Sequence, residues 1–141
     1  MSSYTNFKKK LKQYEPFEDI VAEKIISKYQ LEPKYEKCIT NAYDICLSNG
    51  LTYEIKCDVM ASKTKHFFIE HYGYKKLSGI STTQANYYVI SLDLINFYQI
   101  SVNELKLLLT SKKYKIVSTK DKLTLGFLVP VDDIIILSEL I

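Results

Sequence analysis

Between residues 17 and 29 the positions Phe17, Ile20, Val21, Lys24/Ile25 and Lys28/Tyr29 recur at helical spacing. That period predicts an amphipathic helix, opened by Pro16. After Pro33 the period shortens. Lys34–Ile39 alternates, Tyr43–Leu47 is nearly continuous, and Leu51–Cys57 follows the turn signal Ser48-Asn49-Gly50. These three segments predict antiparallel strands, the last two joined as a hairpin. His66–Tyr72 predicts another strand, 73–79 a Gly/Lys/Ser loop, Ser81–Asn86 a short helix and Tyr87–Leu92 a buried strand. Ser101 and Glu104 form a capping box that starts a helix through about Thr110. Tyr114–Ser118 and Leu123–Val129 predict strands about the turn residues Lys120-Asp121. Pro130, Asp132 and Asp133 then open a final apolar helix or turn over 131–140. The succession predicts a mixed α/β domain around one central sheet.

Composition adds bounds. A chain of 141 residues that is 47% hydrophobic has material for one core and no room for two. We therefore expect a single domain over 16–141, preceded by an arm or helix over 1–15. That arm sets Lys8, Lys9, Lys10 and Lys12 among Tyr4, Phe7, Leu11 and Tyr14, a pattern suited to a phosphate backbone or to a solvated helix face. The run Ile134-Ile135-Ile136-Leu137 is far too short to span a bilayer, so no membrane role is expected. Met1-Ser2-Ser3-Tyr4 lacks an apolar signal segment, which predicts an intracellular protein. Cys38, Cys46 and Cys57 form no C-x-x-C pair and read as free thiols in a reducing compartment. The net charge of +3 permits nucleic-acid binding without demanding it. All 19 basic residues are lysine. Without arginine, contact with the phosphate backbone is favoured over reading of base edges.

Candidate chemistry concentrates where Asp44, Glu54 and Lys56 interrupt apolar strands. Buried charge is costly unless it is paired or bound to metal. If Ser48-Asn49-Gly50 is a three-residue loop, Leu47 pairs with Leu51 and Asp44 falls opposite Glu54 on one sheet face. Lys56, two residues beyond Glu54, shares that face. A two-residue Asn-Gly loop would send the two acids to opposite faces. Paired carboxylates suit Mg²⁺ or Mn²⁺, and a neighbouring lysine can orient or help deprotonate an attacking water. The constellation suits phosphodiester hydrolysis.

Asp44 followed by Glu54-x-Lys56 across a hairpin resembles the PD-(D/E)XK nuclease superfamily, although Tyr43 stands where the motif's proline is usual. The segments Tyr53–Asp58, Lys63–Glu70 and Ser78–Tyr88 are similar to small phage and large-DNA-virus endonucleases of that superfamily. Relatives often carry Thr-Gly-Asn-Phe-Phe-Ile-Glu where this chain has Thr64-Lys65-His66-Phe67-Phe68-Ile69-Glu70. The resemblance implies a restriction-endonuclease-like core of helix, three antiparallel strands, helix and strand, with a C-terminal helix or hairpin extension. It also implies a helix acid, Glu18 or alternatively Glu23, joining Asp44 and Glu54 as metal ligands. Lys63 and Thr64, and Thr82, Thr83 and Gln84 at the start of the second helix, become candidate nucleic-acid contacts. Lys75-Lys76 could touch a more distant phosphate. Glu70 could line the same cleft, and Asp58 reads as a strand end or a supporting acid. His66 and His71 lie next to acids that already account for the chemistry, and Tyr87-Tyr88 reads as core and strand surface.

The implied activity is that of a Mg²⁺- or Mn²⁺-dependent endonuclease on DNA, serving replication, recombination or repair. Branched-junction cleavage is one form of it and would favour a homodimer. The alternative is a chain that keeps the fold without catalysis, as a nucleic-acid-binding or accessory protein.

Overall fold

The computed structural model describes residues 17–38, 40 and 42–141. The basic arm expected over 1–15 lies outside them. The described residues form one compact α/β domain with four helices and two sheets.

Helix α1 covers 17–29 and buries Val21, Ala22 and Ile25 completely. It stops at Gln30, whose φ of 52° is left-handed, and Leu31 donates back to the Ile26 carbonyl at 3.0 Å. That bond ties off the open helix end, and Pro33 prevents continuation. Three antiparallel strands follow: β1 (Tyr35–Lys37), β2 (Ile45–Leu47) and β3 (Thr52–Cys57). The β2–β3 register, Ile45 against Tyr53 and Cys46 against Thr52, is that of the three-residue loop. Gly50 holds its last position at a φ of +81°.

Beyond β3 the expectation of one sheet fails. The one-turn helix α2 (Ala61–Thr64) leads into β4 (His66–Gly73) and β5 (Lys76–Leu77), which belong to a second sheet. β4 pairs along its length with β9 (Thr124–Pro130), and β9 with β8 (Lys115–Ser118). Periodicity marks each strand but not its partner, and the partner of β4 is far away along the chain.

The short helix expected over 81–86 is also absent. A 3₁₀ turn, Gly79–Ser81, occupies the approach, and the following residues are extended or turned. Thr83 Oγ1 accepts from the Ala85 amide and Asn86 Oδ1 from the Thr52 amide, so side chains draw the backbone out of a helix.

Chain then returns to the first sheet. β6 (Tyr87–Ser91) lies parallel to β3, and β7 (Tyr98–Ser101) lies antiparallel to β6. The pattern reading did not foresee β7; its signal is Asp93, whose Oδ1 accepts the Ile95 and Asn96 amides and turns the chain back. Ser101 caps α3 (Val102–Ser111) by accepting from Glu104, as the capping box predicts. The end of the chain is a short helix, α4 (Val131–Ile135), followed by β10 (Glu139–Leu140), which closes the first sheet beside β7.

The first sheet therefore has the order β1-β2-β3-β6-β7-β10, and the second β5-β4-β9-β8. One core joins α1 to Ile45, Leu47, Tyr53 and Val89 on one face of the first sheet. The other joins Tyr88, Ile90 and Ile100 on the opposite face to Phe67, Ile69 and Val129 of the second sheet and to α3. No helix among the described residues is long and apolar enough to cross a membrane.

Candidate active site

Pairing of β2 with β3 ends at Ile45 against Tyr53, one residue short of Asp44. Asp44 sits on the bend before β2. Its amide donates to the Tyr53 carbonyl and its carbonyl accepts from Cys38, both at 2.9 Å. Its carboxylate Oδ2 accepts from the Ile55 amide at 2.7 Å. Had the ladder continued, the Tyr43 carbonyl would face that amide. The Asp44 side chain stands in for it, so the acid is fixed by backbone partners on both strands.

Glu54 and Lys56 project from one face of β3, with Glu54 Oε1 3.7 Å from Lys56 Nζ. The Glu54 side chain is 13% exposed, while the Lys56 side chain is 45% exposed. Burial pushes the Glu54 carboxyl up to about 7; Lys56 opposes this, and the charges of Asp44 and Glu18 add to it. Burial also raises Asp44, against the Ile55 amide and Lys56. Both acids are thus held in an environment that penalises their charge.

Asp44, Glu54 and Lys56 line one cleft of about 610 Å³ between the two sheets. Glu70 enters it from β4, beside a register irregularity between Glu70 and Tyr72. Such a bulge re-aims side chains. The opposite rim carries Lys76, Ser78, Gly79 and Thr82. Gly79, at a φ of +55°, lies so close to β4 that a Cβ there would come 2.2 Å from the Glu70 carbonyl oxygen. Only glycine lets this rim close on the acid.

Other sequence-predicted residues fall elsewhere. Glu18 lines a smaller cavity of about 230 Å³ with Asp44, Ile55, Lys56 and Cys57, adjoining the cleft through the shared Asp44 and Lys56. Glu23 borders a separate depression on the outer side of α1. Lys63 and Thr64 do not line the cleft; they sit on α2, where Thr64 Oγ1 donates to the His66 carbonyl at 3.0 Å. Thr83 and Gln84 also stay out of it, and no helix starts there to offer amides to phosphate, leaving Thr82 alone of that group on the rim. Asp58 is structural: its carboxylate accepts from the Phe68 amide and its amide bonds Ser91, joining the end of β3 to both sheets.

Among the described residues, no three His, Cys, Asp or Glu side chains form a ready-made metal cage. The cysteines are free and half-buried. Burial, with the nearby Asp44 charge, pushes Cys57 up to about 11, which keeps it an inert thiol at neutral pH. The His66 ring is tied to the Thr64 carbonyl, and the His71 ring packs on Phe127. Neither histidine lines the cleft. Pattern reading also missed Ser78 and Gly79, which reach the cleft through a loop whose path depends on the second sheet. No protein family, no curated protein and no solved structure matches the chain.

Proposed function

We propose that this chain is a metal-dependent endonuclease of the PD-(D/E)XK type that hydrolyses phosphodiester bonds in DNA inside the cell. One observation carries the reading. Asp44, Glu54 and Lys56 converge on a single cleft although burial disfavours the charge on both acids. A cation between the acids would offset that penalty, which the Ile55 amide and Lys56 offset only in part.

The donor set fits the proposed ion. The cleft presents carboxylate and hydroxyl oxygens but no thiol or imidazole, as a hard cation requires. Mg²⁺ commonly uses one or two carboxylates and keeps water in its other positions, so a full protein cage is not needed. Asp44 and Glu54 would hold it, with Glu18 bordering the site from α1. When bound, the ion makes a nucleophile available at neutral pH and neutralises charge on the phosphate.

The chain's own residues do the remainder. Lys56 is fixed at its root by β3 and reaches solvent at its tip, where it can orient the attacking water and stabilise the charge developing on the phosphate oxygens. The water oxygen forms the new bond to phosphorus, the bond to the leaving oxygen breaks, and that oxygen takes a proton. Lys76 and Thr82 on the rim are better placed than Lys63, Thr64, Thr83 and Gln84 to touch the scissile-strand phosphate. A lysine-only surface suits backbone contact. The order α1, β1–β3, then β6 beside β3 supports a restriction-endonuclease-like core, with α2 reduced to one turn. Cleavage of branched DNA is one specific form of this activity, and that form would favour a homodimer.

The test compares wild type with Lys56→Ala on supercoiled plasmid, linear duplex and a four-way junction, with Mg²⁺, Mn²⁺ or EDTA. Metal-dependent cutting should fall at least about 100-fold in the variant, the scale of a lost acid–base or electrostatic group. Equal cutting by both proteins would sink the assignment. No cutting with DNA binding retained would instead favour a nucleic-acid-binding protein that has the fold without the activity.

A further inference from the structure

Tyr88 lies beside Glu54 in the parallel register of β3 and β6 and is 1% exposed. Its ring belongs to the core with Ile90 and Ile100, which accounts for the aromatic body. Packing does not account for its hydroxyl, which is buried and has no hydrogen-bond partner. Leaving such a group unpartnered is destabilising, and phenylalanine would fill the same space without that penalty. The carboxylates whose charge bears on the phenol are Glu54, Glu70 and Asp44, with Glu54 first among them. Ser78, on the rim of the same cleft, has a second buried hydroxyl without a partner. In this structure Glu54 leans instead on Lys56, at 3.7 Å.

We propose that Tyr88 is a positioning residue whose phenol donates to the Glu54 carboxylate when a divalent cation occupies the cleft. The proposal rests on the cation-site reading given above. With a cation held by Asp44 and Glu54, Glu54 would no longer depend on Lys56 for its partner charge, and the Tyr88 phenol would supply the hydrogen bond that orients its carboxylate. Partners of metal-ligating groups act in this way, and their loss typically weakens metal affinity about 10–100-fold. The fold keeps this unpartnered donor beside Glu54.

Calorimetric titration with Mn²⁺ alone, together with thermal melting, tests this on wild type, Tyr88→Phe and Glu54→Gln. Tyr88→Phe should melt at or above the wild-type temperature, because it removes an unsatisfied group. It should nevertheless bind Mn²⁺ about tenfold more weakly. Unchanged affinity in a well-folded Tyr88→Phe would overturn the proposal and leave the cation site standing. A variant that loses affinity and stability together would assign Tyr88 to packing and overturn it as well. If wild type binds no Mn²⁺, or Glu54→Gln binds as tightly as wild type, the cation-site reading itself fails and takes the proposal with it. A second measurement uses the wild-type protein directly. The Tyr88 Cζ NMR resonance, identified by its absence from Tyr88→Phe, should move when Mg²⁺ is added and stay fixed in Glu54→Gln. A resonance that stays fixed in wild type would overturn the proposal.

Discussion

The two faces of β3 are built to different rules. On one face Tyr53, Ile55 and Cys57 pack toward α1, and Tyr53 stacks on Tyr87 with ring centres 5.5 Å apart. On the other, Glu54 and Lys56 stand in the cleft between the sheets. The first face gains from every atom it buries. The second gives up stability, since it withdraws the Glu54 carboxylate from water and returns only one lysine nearby. The same six-residue strand holds the fold together and carries its most costly charges, so disrupting one face should affect stability and disrupting the other should affect chemistry.

The largest stability change should come from the apolar face. Tyr53→Ala should cost about 3–5 kcal/mol in urea unfolding, the range for truncating a large buried aromatic. A cost below about 1 kcal/mol would show that this face is not the structural one.

On the polar face the change should reverse in sign. The folded Glu54 carboxyl, at about 7, lies above its ordinary value of 4.5, so between those values the folded protein holds a proton that the unfolded chain has lost. Stability without metal is therefore greatest below pH 4.5 as far as Glu54 is concerned, and falls as pH rises through 7. Glu54→Gln should flatten that fall and melt about 5 °C higher than wild type at pH 8, while the two converge at pH 5. Melting curves in EDTA at the two pH values decide it; a variant less stable than wild type at pH 8 would contradict the account.

The smallest effect belongs to the turn that sets both faces in register. A Cβ on Gly50 would meet nothing within 4 Å, so Gly50→Ala is opposed only by its left-handed backbone. It should cost about 1 kcal/mol and leave any cutting activity unchanged.

What the sequence made legible follows from distance along the chain. The β2–β3 register could be read because Ser48-Asn49-Gly50 sets it locally, and the cap of α3 because Ser101 and Glu104 are three residues apart. The meeting of Phe67 with Val129 across the second sheet could not, since nothing in either segment specifies the other. The same limit applied to the site. Asp44, Glu54 and Lys56 were visible as charges breaking apolar strands, whereas the rim of Ser78 and Gly79 depends on the second sheet. The unpartnered hydroxyl of Tyr88 depends on the alignment of β6 with β3. The expected helix at 81–86 failed because Thr83 engages the Ala85 amide locally while Asn86 bonds the Thr52 amide of β3, far away along the chain. A pattern of polar and apolar positions does not register such contacts.

The carboxylate of Asp44 that closes the hairpin against the Ile55 amide has an evolutionary consequence. An asparagine carbonyl oxygen accepts an amide hydrogen bond as a carboxylate oxygen does. Asp44→Asn would thus keep the strands joined and discard the charge, a change that a single-base transition in the codon can make. The lineage of this protein stands one substitution away from a folded chain without the Asp44 charge that burial penalises, so purifying selection at that codon would record a demand other than folding.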